Sequence, residues 1–313
     1  MLEINRLSVA YGNHLALKEV TLAMKSHETY CLVGESGSGK TTLLKAITGL
    51  LGEGGRYIEG EVVFEGKELI SLPQPELRKL RGAAIATVHQ QAGSAMDPIM
   101  KVGKQFHEAL SVRAKISRRE SDRLAQECMK TLALKEPERI LKSYPGMLSG
   151  GTIQRVALAM AMAMNPTLIL ADEPTSALDV TVQVEVVGSL KKLQENCSAA
   201  MLLVTHNIGV VARMADKIGV MLDGRLIESG SKAQVLSSPA HPYTHMLINS
   251  VLNKKGRLPM GPTIYHEEKT QGCSFYNRCP LGCRLCRETL PQTREIGSDH
   301  RVMCRLAGEK YAQ

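Results

Sequence analysis

Read as a pattern of apolar and polar positions, the first 230 residues alternate between two rhythms. Strand-like stretches fall at residues 2–9, 20–24, 30–33, 61–64, 84–88, 167–171, 201–204, 217–222 and 225–228, with helix-like stretches between them. Three of these strands, ending at Val33, Ala171 and Val204, are continuously apolar, as strands of a parallel sheet covered on both faces are. The early strands instead alternate between turn residues, which predicts an antiparallel sheet to one side. Residues 100–165 read as mostly helix, and Ser117-Arg118-Arg119-Glu120 is a capping-box pattern opening a helix that runs to about Leu134. The expected fold is α/β: a mixed-sheet core, an antiparallel side sheet and an α-helical insertion over about 91–165. Past Gly230 the rhythm weakens. A short helix follows His241-Pro242-Tyr243-Thr244, residues 254–270 read as a linker, and a small cysteine-rich segment closes the chain. The predicted division is 1–230 for the main domain and 231–313 for a C-terminal extension.

Composition adds limits. The chain has 313 residues, 43% of them apolar, enough for a sizeable core; tryptophan is absent, so that core rests on Leu, Ile, Val, Ala and 15 Met. No run approaches the roughly 18 uninterrupted apolar residues of a membrane span. The start, Met1 to Asn5, lacks the basic and apolar stretches of a secretory signal, so a cytosolic protein is expected. Of the net charge of +8, residues 254–313 carry +5. A solvated face is the plain explanation, and nearness to a membrane surface is the alternative.

Chemistry enters at Gly34-Glu35-Ser36-Gly37-Ser38-Gly39-Lys40-Thr41, which fits G-x-x-x-x-G-K-[ST] between an apolar strand and a helix opening at Thr42. Glycines there let backbone N–H groups turn inward as an anion nest, with Lys40 on the β- and γ-phosphates and Thr41 on Mg²⁺. A second strand must bring carboxylates. Residues 167–171 lead into Asp172, expected to hold Mg²⁺, and Glu173, expected to activate water as general base.

Leu148-Ser149-Gly150-Gly151-Thr152-Ile153-Gln154-Arg155 resembles the LSGGQ signature of ABC-type ATPases. The resemblance implies a head-to-tail dimer in which Ser149, Gly150, Gly151 and Gln154 close over the partner's ATP. It further assigns Tyr11 to adenine stacking and Gln90 to sensing Mg²⁺ and water. Asp179, in Ser176-Ala177-Leu178-Asp179, matches the D-loop facing the partner's phosphate loop. His206, after Thr205, matches the switch histidine on the γ-phosphate. Within the superfamily the whole chain is similar to ATPase subunits of peptide/nickel uptake systems, through Tyr144-Pro145, the 201–206 strand and the His241-Pro242-Tyr243-Thr244 motif. Such subunits pair with a second, different ATPase on the cytoplasmic face of the inner membrane. They sit beneath two membrane permeases fed by an extracytoplasmic solute-binding protein, and nucleic acid is not an expected partner. Three departures stand out: Gln91-Ala92 in place of an acidic residue and Pro, Thr152-Ile153 ahead of Gln154, and Asn207 where the family has Asp.

Cys273, Cys279, Cys286 and Cys304 resemble the four-cysteine tail of peptide-transporter ATPases, which implies a 4Fe–4S cluster. Four thiolates also suit zinc, Cys283-x₂-Cys286 is a zinc-like spacing, and free thiols are a third reading. Cys31, Cys128 and Cys197 stand apart as small apolar residues. Two rivals to an uptake ATPase are a nucleic-acid-associated ABC ATPase, which ordinarily has two cassettes or a long insertion, and an exporter, against which the tail speaks. Dipeptides, oligopeptides, nickel or a metal chelate stay open as cargo.

Overall fold

In the computed structural model, which describes residues 1–90, 92–113, 115–176, 178–252 and 270–307, every expected strand is present. The elements in chain order are β1 (Leu2–Tyr11), β2 (His14–Met24), β3 (Thr29–Val33), α1 (Lys40–Thr48), β4 (Gly55–Phe64), β5 (Lys67–Glu68), α2 (Gln74–Leu80) and β6 (Ile85–Val88). The helical insertion follows as α3 (Val102–Arg113), α4 (Arg118–Thr131), α5 (Pro137–Lys142) and α6 (Gly150–Ala163). Then come β7 (Leu168–Asp172), α7 (Val180–Cys197), β8 (Ala200–Val204), α8 (Ile208–Met214), β9 (Lys217–Leu222), β10 (Arg225–Ser231), α9 (Lys232–Ser237) and α10 (Pro242–Leu252). The tail adds α11 (Arg284–Glu288), β11 (Arg294–Gly297) and β12 (His300–Val302). The segment read as a linker lies outside the described residues from 253 to 269, as does Gln91.

Two sheets form, as the two hydrophobic rhythms require. The alternating strands make an antiparallel sheet in the order β2-β1-β4-β5, and the apolar runs lie in a larger sheet ordered β11-β12-β10-β9-β3-β8-β7-β6. Strands β9, β3, β8, β7 and β6 of the larger sheet run parallel. Their side chains alternate between two cores. Leu168 and Leu170 face a core shared with the antiparallel sheet and α1, while Ile169 and Ala171 face one shared with α6, α7 and the insertion. That two-sided burial is why these strands carry no polar alternation.

The capping box at α4 is realised in full. Ser117 Oγ accepts from the Glu120 N–H at 3.3 Å, and the Glu120 carboxylate accepts from the Ser117 N–H at 3.0 Å. The end of the chain does not stand off from the core: β12 pairs antiparallel with β10, Glu228 opposite Val302, so the tail extends the central sheet. Buried Glu228 accepts from the N–H groups of Ala240 and His241 and from His300 Nε2, at 2.8–2.9 Å.

Candidate functional site

A parallel sheet presents ligands at the carboxyl ends of its strands. Four neighbouring strands, β3, β8, β7 and β6, end here side by side, and each carries sequence-predicted residues just beyond its end.

After β3 comes the phosphate loop. Gly34 and Gly39 have φ of 153° and 101°, and a Cβ on either would collide with backbone, the Met221 carbonyl for Gly34 and the Ala16 carbonyl for Gly39. Lys40 Nζ folds back into the loop and donates to the carbonyls of Gly34 and Glu35, each at 2.8 Å, and to Ser38 Oγ at 3.3 Å. Burial pulls its ammonium below the usual lysine range, while Glu173, Asp172 and Glu35 oppose that pull. A cation held over carbonyls at the centre of an otherwise amide-lined nest is a phosphate site. Ser36, Gly37 and Thr41 are exposed, Thr42 is half-buried and Ser38 is buried.

At the last residue of β7, Asp172 Oδ1 accepts from Thr41 Oγ1 at 3.2 Å, so the two residues expected to share Mg²⁺ are in contact. Burial pushes the Asp172 carboxyl up, against the Thr41 hydrogen bond. A half-buried carboxylate beside a hydroxyl at a phosphate nest is a hard-oxygen donor set that fits Mg²⁺. Glu173 follows with φ 44°, a left-handed conformation that a non-glycine residue holds only when its surroundings enforce it. Its N–H donates to the Val204 carbonyl at 2.9 Å, and its own carbonyl accepts from Ser176 Oγ at 3.1 Å. The twist aims the carboxylate across to the neighbouring strand end, where His206 Nδ1 stands 3.1 Å from Glu173 Oε2. The residues expected as general base and switch histidine thus form a pair next to the loop. Beyond His206, Asn207 caps α8 through Oδ1, and its Nδ2 donates to Gln183 Oε1 at 3.3 Å, a bond the family's Asp could not donate.

Beyond β6, Gln90 is exposed, two residues past Val88, which pairs with Ala171 of β7. Tyr11 lies at the end of β1, half-buried, its hydroxyl donating to the Leu51 carbonyl at 2.8 Å.

The signature does not join this cluster in the same chain. Ser149 is the N-cap of α6, accepting from the Thr152 N–H, and with Gly150 it is exposed. Asp179 caps α7 in the same manner. Gly150 lies against Leu178, so signature and D-loop form one exposed edge; Ala177 of the D-loop lies outside the described residues. Gln154 is different. Only 3% exposed, it accepts from the Ala92 N–H at 3.2 Å and donates to the His89 carbonyl at 3.1 Å. It points into its own chain, away from the edge where Ser149 and Gly150 lie, and ties α6 to the segment around Gln90. Gly151 likewise packs inward, against Val182.

The ABC transporter family model matches residues 17–176, from β2 through the phosphate loop and signature to Ser176. The chain belongs to the ABC transporter family. A second model, the C-terminal region of oligopeptide/dipeptide transporters, matches residues 227–286. A probable peptide ABC transporter ATP-binding protein of Sinorhizobium fredii is 37% identical over 301 residues, covering 94% of this chain and 90% of its own. The oligopeptide transport ATP-binding protein OppD of Salmonella typhimurium is 36% identical, covering 93% and 89%. A metal-staphylopine import ATP-binding protein of Staphylococcus aureus is 42% identical over 75% of this chain and 86% of its own. Among solved structures, the dimeric cassette MJ0796 bound to ADP and Pi superposes with a TM-score of 0.66 at 33% identity, over 74% of this chain and 98% of its own. The chain is an ATP-binding, ATP-hydrolysing cassette. No helix among its described residues is long and apolar enough to cross a membrane.

The tail cysteines form one neighbourhood. Cys273, Cys279, Cys286 and Cys304 are close enough to influence one another's ionisation, none is in a disulfide, and burial pushes the thiols of Cys273, Cys279 and Cys286 up, Cys279 to about 12. Exposed Cys283 lies 3.4 Å from Cys286, sulfur to sulfur. Among the described residues no three His, Cys, Asp or Glu side chains converge tightly enough for a single ion.

Two residues that touch the phosphate loop were missed by reading the sequence. Arg278 pairs with Glu35 of the phosphate loop through both guanidinium nitrogens, at 2.6 and 3.0 Å, and Tyr243 Oη accepts from the Glu35 N–H at 2.9 Å. Pairing across more than 200 residues leaves no local signal, although Tyr243 lies in the HPYT motif already singled out.

Proposed function

We propose that this cassette energises an importer for peptides or a metal chelate, as one of two ATPase subunits. The match of residues 227–286 to the oligopeptide/dipeptide transporter C-terminal region carries this reading, and the peptide and metal-staphylopine systems named among the relatives set the cargo range. On this reading residues 1–230 are the nucleotide-binding domain and 231–313 its extension. The partner cassette is a different chain, two permeases lie above the pair on the cytoplasmic face of the inner membrane, and a solute-binding protein delivers the cargo.

The chemistry follows from the strand ends. Lys40 and the loop amides hold the phosphates, Tyr11 stacks on adenine, and Thr41, Asp172 and Gln90 hold Mg²⁺, which when bound neutralises phosphate charge. Glu173 takes the proton of the attacking water, and His206, 3.1 Å away, orients that carboxylate and the γ-phosphate. Ser149, Gly150 and the exposed N–H groups opening α6 close on the partner's γ-phosphate, with Asp179 beside them. Cys273, Cys279, Cys286 and Cys304 would hold a 4Fe–4S cluster through their thiolates, with zinc as the alternative occupant.

The test is to co-purify the cassette with its permeases and solute-binding protein and measure ATPase activity with dipeptides, oligopeptides, nickel and metal chelates. Stimulation by a peptide or chelate is expected; stimulation by none of them, with nucleic acid effective instead, contradicts the reading. Anaerobic protein is expected to contain iron and absorb in the visible, against one zinc per chain as the contrary result.

A further inference from the structure

We propose that Tyr243 and Arg278, both from the C-terminal extension, are positioning residues for ATP: together they fix Glu35 of the phosphate loop, and Arg278 neutralises its carboxylate. The proposal rests on the ATP-binding assignment and adds to it a part played by the tail.

Glu35 is held at every polar group it has. Its carbonyl accepts from Lys40 Nζ at 2.8 Å, its N–H donates to Tyr243 Oη at 2.9 Å, and its carboxylate takes the bidentate guanidinium of Arg278. Only the first of these comes from the loop itself. Tyr243 is fully buried, and its ring meets Phe275 edge-on at 5.4 Å between centroids. Arg278 lies over both rings, 5.8 Å from Tyr243 and 5.2 Å from Phe275. A guanidinium seated on two aromatic faces has little freedom left to lose when it forks onto a carboxylate. The grip continues on the loop's other flank, where Ser274 Oγ donates to Asp223, and the neighbouring Gly224 N–H donates to the Ser38 carbonyl.

The charge on Glu35 gives this arrangement its consequence. An acidic side chain in a phosphate cradle opposes a triphosphate, and Glu35 is near enough to Lys40 to favour its charged form. Arg278 cancels that charge from outside the nest. The ion pair is partly exposed, 30% for Arg278 and 41% for Glu35, so its worth to folding is small and its effect falls on the anion bound next to it.

Equilibrium binding of a fluorescent ATP analogue to the full chain, with KM and kcat for ATP in the assembled transporter, tests this. Arg278→Gln is expected to weaken binding and raise KM about tenfold with kcat changed less than about twofold, and Tyr243→Phe to raise KM by about threefold. Adding Glu35→Gln to Arg278→Gln is expected to restore binding, and Arg278→Lys to retain most of it. Unchanged binding in Arg278→Gln overturns the proposal. So does weakened binding that neither Glu35→Gln nor Arg278→Lys recovers, because a general loss of structure would look like that. A wild-type chain that fails to bind the analogue would count against the ATP assignment instead.

Discussion

At the scale of single residues, the site depends on a carboxylate in an unfavourable backbone conformation. Glu173 keeps φ at 44° because the Val204 carbonyl and Ser176 Oγ hold its peptide groups from both sides. Strain of this kind costs on the order of 1–3 kcal/mol and persists where position matters more than stability. Here it turns the side chain from its own strand toward His206 and the phosphate loop. Replacing the carboxylate by an amide preserves size and conformation and removes only the ability to take a proton. Glu173→Gln is therefore expected to bind ATP as wild type does and to lose hydrolysis by about 100-fold or more. Single-turnover assays beside equilibrium binding check it; retained hydrolysis would show that water is activated elsewhere.

Among the elements, α6 and α10 each join parts far apart in sequence through one buried side chain. On α6 it is Gln154, spanning His89 and Ala92, so any tilt of the signature helix is felt beside Gln90. On α10 it is His241 at the helix start. Its Nδ1 accepts from the Tyr243 N–H at 3.0 Å, its own N–H donates to Glu228, and its ring packs near Phe275. Burial pushes its imidazole down to about 4, with the Glu228 carboxylate opposing. The folded chain thus refuses a proton that the unfolded chain takes up near pH 6.5. Stability falls as pH drops through that window, by up to about 1.4 kcal/mol per unit, and this contribution levels off below the folded value. His241→Asn keeps an acceptor for the Tyr243 N–H and cannot titrate. It is expected to flatten the loss of thermal stability between pH 6.5 and 4.5 relative to wild type, as thermal denaturation at several pH values would show. Parallel slopes for the two proteins would place the sensitivity in other groups.

For the whole molecule, what the sequence revealed and what it hid divide along chain separation. Nine strands and the α4 capping box were legible because two-sided burial and caps leave local patterns at Val33, Ala171, Val204 and Ser117. The residues at the strand ends that form the candidate site were legible because short motifs carry them. The attachment of the tail was not: β12 joins β10 and Arg278 reaches Glu35 through pairings with no shared period. Gln154 sits in the signature yet turns inward, since a motif names residues and not the side of a helix on which they fall. The same separation governs assembly. This chain holds a complete phosphate loop at one place and an exposed signature edge at another, and Gly150 is the residue that can tell them apart. A Cβ there would meet Leu178 Cδ2 at an ordinary 3.7 Å, whereas one on Gly151 would overlap Val182. Gly150→Asp therefore fits its own fold and places negative charge where α6 offers N–H groups to an anion. ATP affinity of the variant chain is expected to stay within about twofold of wild type. Hydrolysis by the assembled pair is expected to fall at least ~100-fold, the loss typical of removing a transition-state anion donor. Loss of ATP binding to the isolated variant would mean that the signature serves its own chain's nucleotide, and the head-to-tail arrangement would fail with it.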